Sequence, residues 1–176
     1  LRSMVLLVFC GIIGVICGCS VRQKQVAATK EDTIVHKKLK PMNSIYYWRT
    51  VFNPSENELA FLKRQNIGRM YLRMFDVIEE GTTAIPNATI KFKQQVPYGV
   101  DVVPVVFITN DVFEQQNDSF LVKTLASQIV ERVTRMCSWN GIDNWSGLQL
   151  DCDWTENSRK AFYLLCKDVR EILPKG

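Results

Sequence analysis

Histidine is nearly missing: the 176 residues contain one, His36. That argues against Ser-His-Asp and Cys-His catalysis, which both need an imidazole base. It also leaves too few nitrogen ligands for zinc. Cysteine is scarce where it would count. Cys10, Cys17 and Cys19 crowd the N-terminus, and Cys137, Cys152 and Cys166 remain, an odd number without CxxC spacing. No metal and no cofactor is expected. No glycine-rich phosphate loop follows any strand-like segment, so a nucleotide-binding doubly wound fold has little support. There is no long basic run, and the net charge is only +4. Nucleic acid is therefore not an expected partner. The apolar run at residues 4–18 is too short to span a bilayer comfortably and suits the core of a signal peptide.

That run ends in Ile16-Cys17-Gly18-Cys19-Ser20. An aliphatic residue, two small residues and a cysteine resemble the lipobox of bacterial lipoproteins. The resemblance implies cleavage before Cys19 and acylation of its thiol, hence a membrane-lipid partner. Several acyl chains hold a protein to a membrane far better than one. Residues 1–19 then form the signal peptide. Residues 20–43, polar and rich in Lys, Gln and Thr without periodicity, read as a flexible tether.

From residue 44 onward, strand and helix patterns alternate. Residues 45–50 (IYYWRT) are aromatic and strand-like. Pro54-Ser55-Glu56-Asn57-Glu58 starts a helix, with Ser55 as N-cap and Glu58 closing a capping box. Its buried side carries Leu59 and Leu62. Residues 69–77 (RMYLRMFDV) form a second strand in which Met70, Leu72 and Met74 oppose Arg69, Tyr71, Arg73 and Phe75. Residues 78–98 hold Gly81, Pro86 and Pro97 and read as a long loop with a short excursion at 89–92. Residues 102–110 (VVPVVFITN) are almost continuously apolar, the mark of a parallel strand covered on both faces. Asp118 caps a helix reaching about Cys137, striped by Val122, Leu125, Ile129, Val133 and Met136. A fourth strand is expected at 147–153. A last helix over 157–173 carries Phe162, Leu165, Val169 and Ile172.

Four strand-helix alternations, with a weak second helix, predict an α/β fold with a parallel sheet and outer helices. Without a phosphate loop, the remaining candidate is a (β/α)8 TIM-like barrel, which needs ~250 residues. The segment 44–176 supplies four units. The expectation is the N-terminal half of such a barrel, cut before a fifth strand.

The run Gly147-Leu148-Gln149-Leu150-Asp151-Cys152-Asp153-Trp154, followed by a helix ending in Val169-Arg170-Glu171-Ile172-Leu173-Pro174, resembles a family of uncharacterised bacterial lipoproteins classed with TIM-barrel glycoside hydrolases. Tyr46-Tyr47-Trp48-Arg49 and Arg73-Met74-Phe75-Asp76-Val77 share in the likeness, which covers roughly residues 44–176. It implies a membrane-anchored barrel that binds or hydrolyses carbohydrate, at the bacterial envelope. A more distant likeness is to chitinase-type barrels, whose fourth strand ends in Asp-x-Asp-x-Glu. Asp151 and Asp153 match the aspartates, and Thr155 stands where the general acid would be.

Asp151 and Asp153 are therefore the candidate catalytic carboxylates. On one face of a strand they would stand ~6.6 Å apart, from ~3.3 Å per residue. That lies between the separations of retaining and inverting glycosidases. The alternative is structural: an ion pair with Arg73 or Arg49, and Asp153 capping the last helix. Trp48 and Trp154, with Tyr46 and Tyr47, suit a saccharide cleft, because sugars stack their C–H faces on aromatic rings. Core packing is the competing explanation. Arg73, Asp76 and Asn110, at strand ends, are the remaining ligand-binding candidates. Asn110 could equally cap a loop. A non-catalytic envelope lipoprotein is the alternative to an enzyme.

Overall fold

The computed structural model describes residues 42–114, 119–143 and 145–173. The apolar run, Cys19 and most of the tether lie outside these residues, as does the expected helix cap Asp118. Among the described residues no helix is long and apolar enough to cross a membrane. All of them fall in one compact unit, Leu39–Gly176.

The chain is α/β. Four strands, β1 (Asn43–Tyr47), β3 (Ile67–Glu80), β6 (Asp101–Ile108) and β7 (Gln149–Asp151), lie side by side in that order, and every neighbouring pair is parallel. The order never reverses. A doubly wound sheet has a reversal at its topological switch point. Between β1 and β3 come β2 (Val51–Phe52) and helix α1 (Glu56–Arg64). Ser55 and Glu58 form the expected capping box, each side chain bonded to the other's backbone N–H. The Ser55 backbone N–H, donating at 2.7 Å, is the main reason the Glu58 carboxyl sits below its usual pKa.

The segment expected to be a loop is more ordered than that. β3 runs on to Glu80 and turns at Gly81, whose φ of 66° favours glycine. It then pairs antiparallel with β4 (Thr83–Asn87). β5 (Lys91–Phe92), at the expected excursion, pairs parallel with β2. Pro86 and a weak alternation through TTAIPN hide this hairpin in the sequence. No helix stands between β3 and β6 among the described residues.

β6 leads through α2 (Asp111–Glu114), which the sequence does not suggest, to α3 (Ser119–Trp139). The expected stripe of α3 is buried throughout, from Val122 to Met136. The last helix, α4 (Arg159–Ile172), packs against α3. Its buried line is Ala161, Leu165 and Val169. Phe162 sits at the margin of that line against Phe113, and Ile172 is exposed. The stripe is thus rotated by about one residue from the one expected.

β7 covers only three residues where 147–153 was expected. Ser146 N–H donates to the Val102 carbonyl, so Val102 turns its backbone groups toward the incoming chain. Pro104, two residues on, turns the same way and has no N–H to give. The ladder therefore closes only at Val105 with Gln149.

Register assigns the two faces of the sheet. Ile45, Tyr47, Met70, Leu72, Val102, Val106 and Leu150 share the face covered by helices, and that face holds the core. Tyr46, Tyr71, Arg73, Val103, Val105, Phe107, Gln149 and Asp151 share the other. Val103 and Val105 are buried yet stand outside the main core cluster, as their position on this second face requires.

Candidate functional site

The second face is concave. Tyr46 of β1 donates its hydroxyl to Gln149 Oε1 of β7 at 2.9 Å. Two strands lie between them, so a flat sheet would hold their backbones about 14 Å apart, from spacings of about 4.8 Å. Side chains standing upright on a flat sheet would not meet across that gap. The edges must curl toward each other, and Val105 is sealed beneath them with no exposed surface.

Strict alternation in β3 puts Asp76 on the face of Met70, Leu72 and Met74. The structure puts it on the face of Arg73. Register shifts between Arg73 and Phe75, so Met74 is an extra residue, a β-bulge. After it, Phe75 takes the helix-covered face and Asp76 the concave one. The displaced Met74 carbonyl accepts from Ile90 N–H at 2.8 Å, so the bulge leaves that group satisfied. Arg73 and Asp76 consequently form a two-pronged ion pair, Nε to Oδ1 at 2.8 Å and Nη2 to Oδ2. Both side chains are largely buried.

Aromatic rings build the wall beside this pair. Arg73 lies over the Trp48 ring at 5.3 Å, and Tyr46 meets Trp48 edge-on and stacks on Tyr71 at 4.7 Å. Tyr46 and Trp48 remain 56% and 42% exposed, so their outer faces are open to a ligand. A planar cation over an indole and a stacked tyrosine pair hold the rings in place.

Asp151 is half-buried on the same face, at the last position of β7. Neither expected structural partner reaches it: Arg73 is taken by Asp76, and Arg49 pairs with Glu58 at 2.8 Å. Asp153 lies past the strand end and is exposed. It does not cap α4, whose N-cap is Ser158. The alternation that placed both aspartates on one strand face therefore ends at Asp151. Between them, Cys152 has its thiol pushed up to about 11, by burial first and then by the charges of Asp153 and Asp151. It is not a thiolate nucleophile at neutral pH.

Asn110 serves the frame. Its Oδ1 accepts from Ser158, a fully buried hydroxyl that also accepts from Thr155 N–H, tying the end of β6 to the β7–α4 connection. Trp154 is 49% exposed in that connection. Thr155, where chitinase-type barrels carry their acid, is engaged with Ser158. The expected residues thus divide. Trp48, Arg73, Asp76 and Asp151 come together on the concave face, while Asn110, Asp153 and Trp154 belong to the rim. Sequence reasoning missed Tyr71 and Gln149. Their signal is position, each two residues before Arg73 or Asp151 on a strand.

At the other end of the same face, Arg69 Nε donates to Asp101 at 2.8 Å, and Ser146 donates to the same carboxylate oxygen. The bond from Arg69 to Asp101 raises the guanidinium pKa above its ordinary value. This cluster closes the N-terminal end of the strands. Clefts among the described residues lie between the β3–β4 hairpin and α3, along α3 by Thr89, and around the 94–100 segment, where one reaches Asp101. No family model, curated protein or solved structure matches the chain.

Proposed function

We propose that the concave face binds an oligosaccharide and that the domain is the N-terminal part of a TIM-like barrel, held to a bacterial membrane through acylated Cys19. The observation that carries the binding reading is the aromatic wall of Tyr46, Trp48 and Tyr71, locked by Arg73 and opening beside Asp151. Flat rings take sugar C–H faces, and a carboxylate free of cations accepts hydroxyl hydrogen bonds. Strand order without reversal and a curled sheet support the barrel. The position is also the one that barrels use, since the site gathers toward the C-terminal ends of parallel strands.

Binding is favoured over hydrolysis. Asp76 has both carboxylate oxygens engaged by Arg73, which leaves it committed to the frame. Thr155 replaces the expected acid, and Asp153 stands off the strand. A hydrolytic site needs two carboxylates facing across the scissile bond, and this face offers one uncommitted carboxylate among the described residues, Asp151.

A glycan array and a hydrolysis screen test the reading on wild type, Trp48→Ala and the Asp151→Asn, Asp153→Asn double variant. Glycan retention without turnover is expected, weakened about tenfold or more by Trp48→Ala, the scale of one lost stacking contact. Retention unchanged in both variants would remove the site. The anchor is tested by metabolic labelling with a palmitate analogue. Label is expected on wild type and absent from Cys19→Ala, and label that persists in the variant would refute acylation at Cys19.

A further inference from the structure

Away from the concave face, on the helix-covered side, Arg132 of α3 has no anionic partner among the described residues. Its Nη2 donates to the Thr89 hydroxyl at 3.0 Å, and the guanidinium lies 5.0 Å from the centre of the Phe75 ring. Its Nε is buried and has no hydrogen-bond partner among the described residues. No carboxylate among the described residues pairs with it; the neighbouring Glu131 reaches Arg135 at 3.6 Å instead. Arg132 is half-buried, and a guanidinium nitrogen cut off from water normally gains a hydrogen-bond partner, because desolvating a polar group is costly.

There is room for such a partner. A cleft of about 240 Å³ opens between the β3–β4 hairpin and α3, with Phe75, Val77, Leu125 and Ile129 among its apolar lining. A second, of about 290 Å³, lies farther along α3 by Thr89 and Trp139. Arg132 and Arg135 line both clefts. The absence of a helix between β3 and β6 among the described residues leaves this side of the sheet open to them.

We infer that this groove binds a small organic carboxylate with an aromatic or aliphatic body. The carboxylate meets the guanidinium of Arg132, and the apolar body lies along the hairpin. Arg135, on the exposed side, adds charge without fixing geometry. Arginine suits the role because its planar fork matches a carboxylate and its face already rests on an aromatic ring. The inference is independent of the saccharide reading, since the two sites share no residue.

The test titrates 3-phenylpropionate into the whole chain, followed by calorimetry and by amide chemical shifts, beside the uncharged 3-phenylpropan-1-ol. Saturable binding of the carboxylate is expected, with shifts at Thr89, Gln128 and Arg132. The alcohol and the Arg132→Gln variant should bind about tenfold more weakly or worse, the scale of one charged hydrogen bond. Equal binding of acid and alcohol, or no saturable binding of the acid at millimolar concentration, overturns the inference. Should Arg132→Gln fail to fold, the acid–alcohol comparison on wild type and the Arg135→Gln variant decide it. Arg135→Gln is expected to weaken the acid less than twofold relative to the alcohol, and a larger loss than that moves the anchor to Arg135 and overturns the assignment to Arg132.

Discussion

Two arginine–aspartate pairs stand on the concave face, one at each end of the strands, and they have different origins. Arg69 and Asp101 are neighbours in the β3–β6 ladder, so ordinary parallel register brings them together. Arg73 and Asp76 are three apart on one strand and meet only because Met74 is squeezed out as a bulge. The first pair is long-range in sequence, shares Ser146 as a third partner and closes the end of the sheet that no candidate site residue occupies. The second is local and touches an exposed indole. One end of the face is closed by its ion pair, and the other carries exposed aromatic rings beside its pair.

Removing each aspartate in turn separates the two pairs. Asp101→Ala strands Arg69, whose side chain is 8% exposed, and should destabilise the fold by about 3 kcal/mol, at the lower edge of what a broken buried pair costs. Denaturant unfolding measures it, and glycan retention in the surviving folded fraction should be unchanged. Asp76→Ala strands Arg73, which is 15% exposed and keeps its Trp48 contact. About 2 kcal/mol is expected, with glycan retention lost. If Asp76→Ala proved the more destabilising of the two, the contrast between structural and presenting ends would collapse. The smallest effect belongs to Trp48→Ala. The ring is 42% exposed, so its removal should change stability by less than about 1 kcal/mol while removing most saccharide affinity. A large loss of stability there would make the indole a packing element.

Much of the element order is legible in the residues themselves. The Ser55–Glu58 capping box is a local device that needs nothing beyond its own helix, and it forms as its spacing predicts. The α3 stripe is a period, and it buries the face that the period marks. The near-continuous apolar run of β6 announces a strand covered on both sides. The hairpin of β3 and β4 is not legible, because its outer strand contains Pro86 and, among the described residues, pairs with β3 alone. The end of β7 is obscured for a related reason. Alternation continues in the sequence to Asp153, but a strand lasts only as long as its neighbour supplies backbone partners, and Pro104 delays the start of that supply.

The candidate site divides along the same line. Sequence alone located carboxylates, an arginine and tryptophans at strand ends, because side-chain type and spacing are local properties. Tertiary structure decided their company. A one-residue bulge moved Asp76 across the sheet to Arg73, and helix α1 claimed Arg49 through Glu58. Those two commitments left Asp151 without either of the cations its spacing suggested. Curvature brought Tyr46 to Gln149, a contact 103 residues apart in the chain. Register shifts, curl and competition for a cation depend on where the neighbouring strand or helix lies, so no reading of the residues one after another contains them.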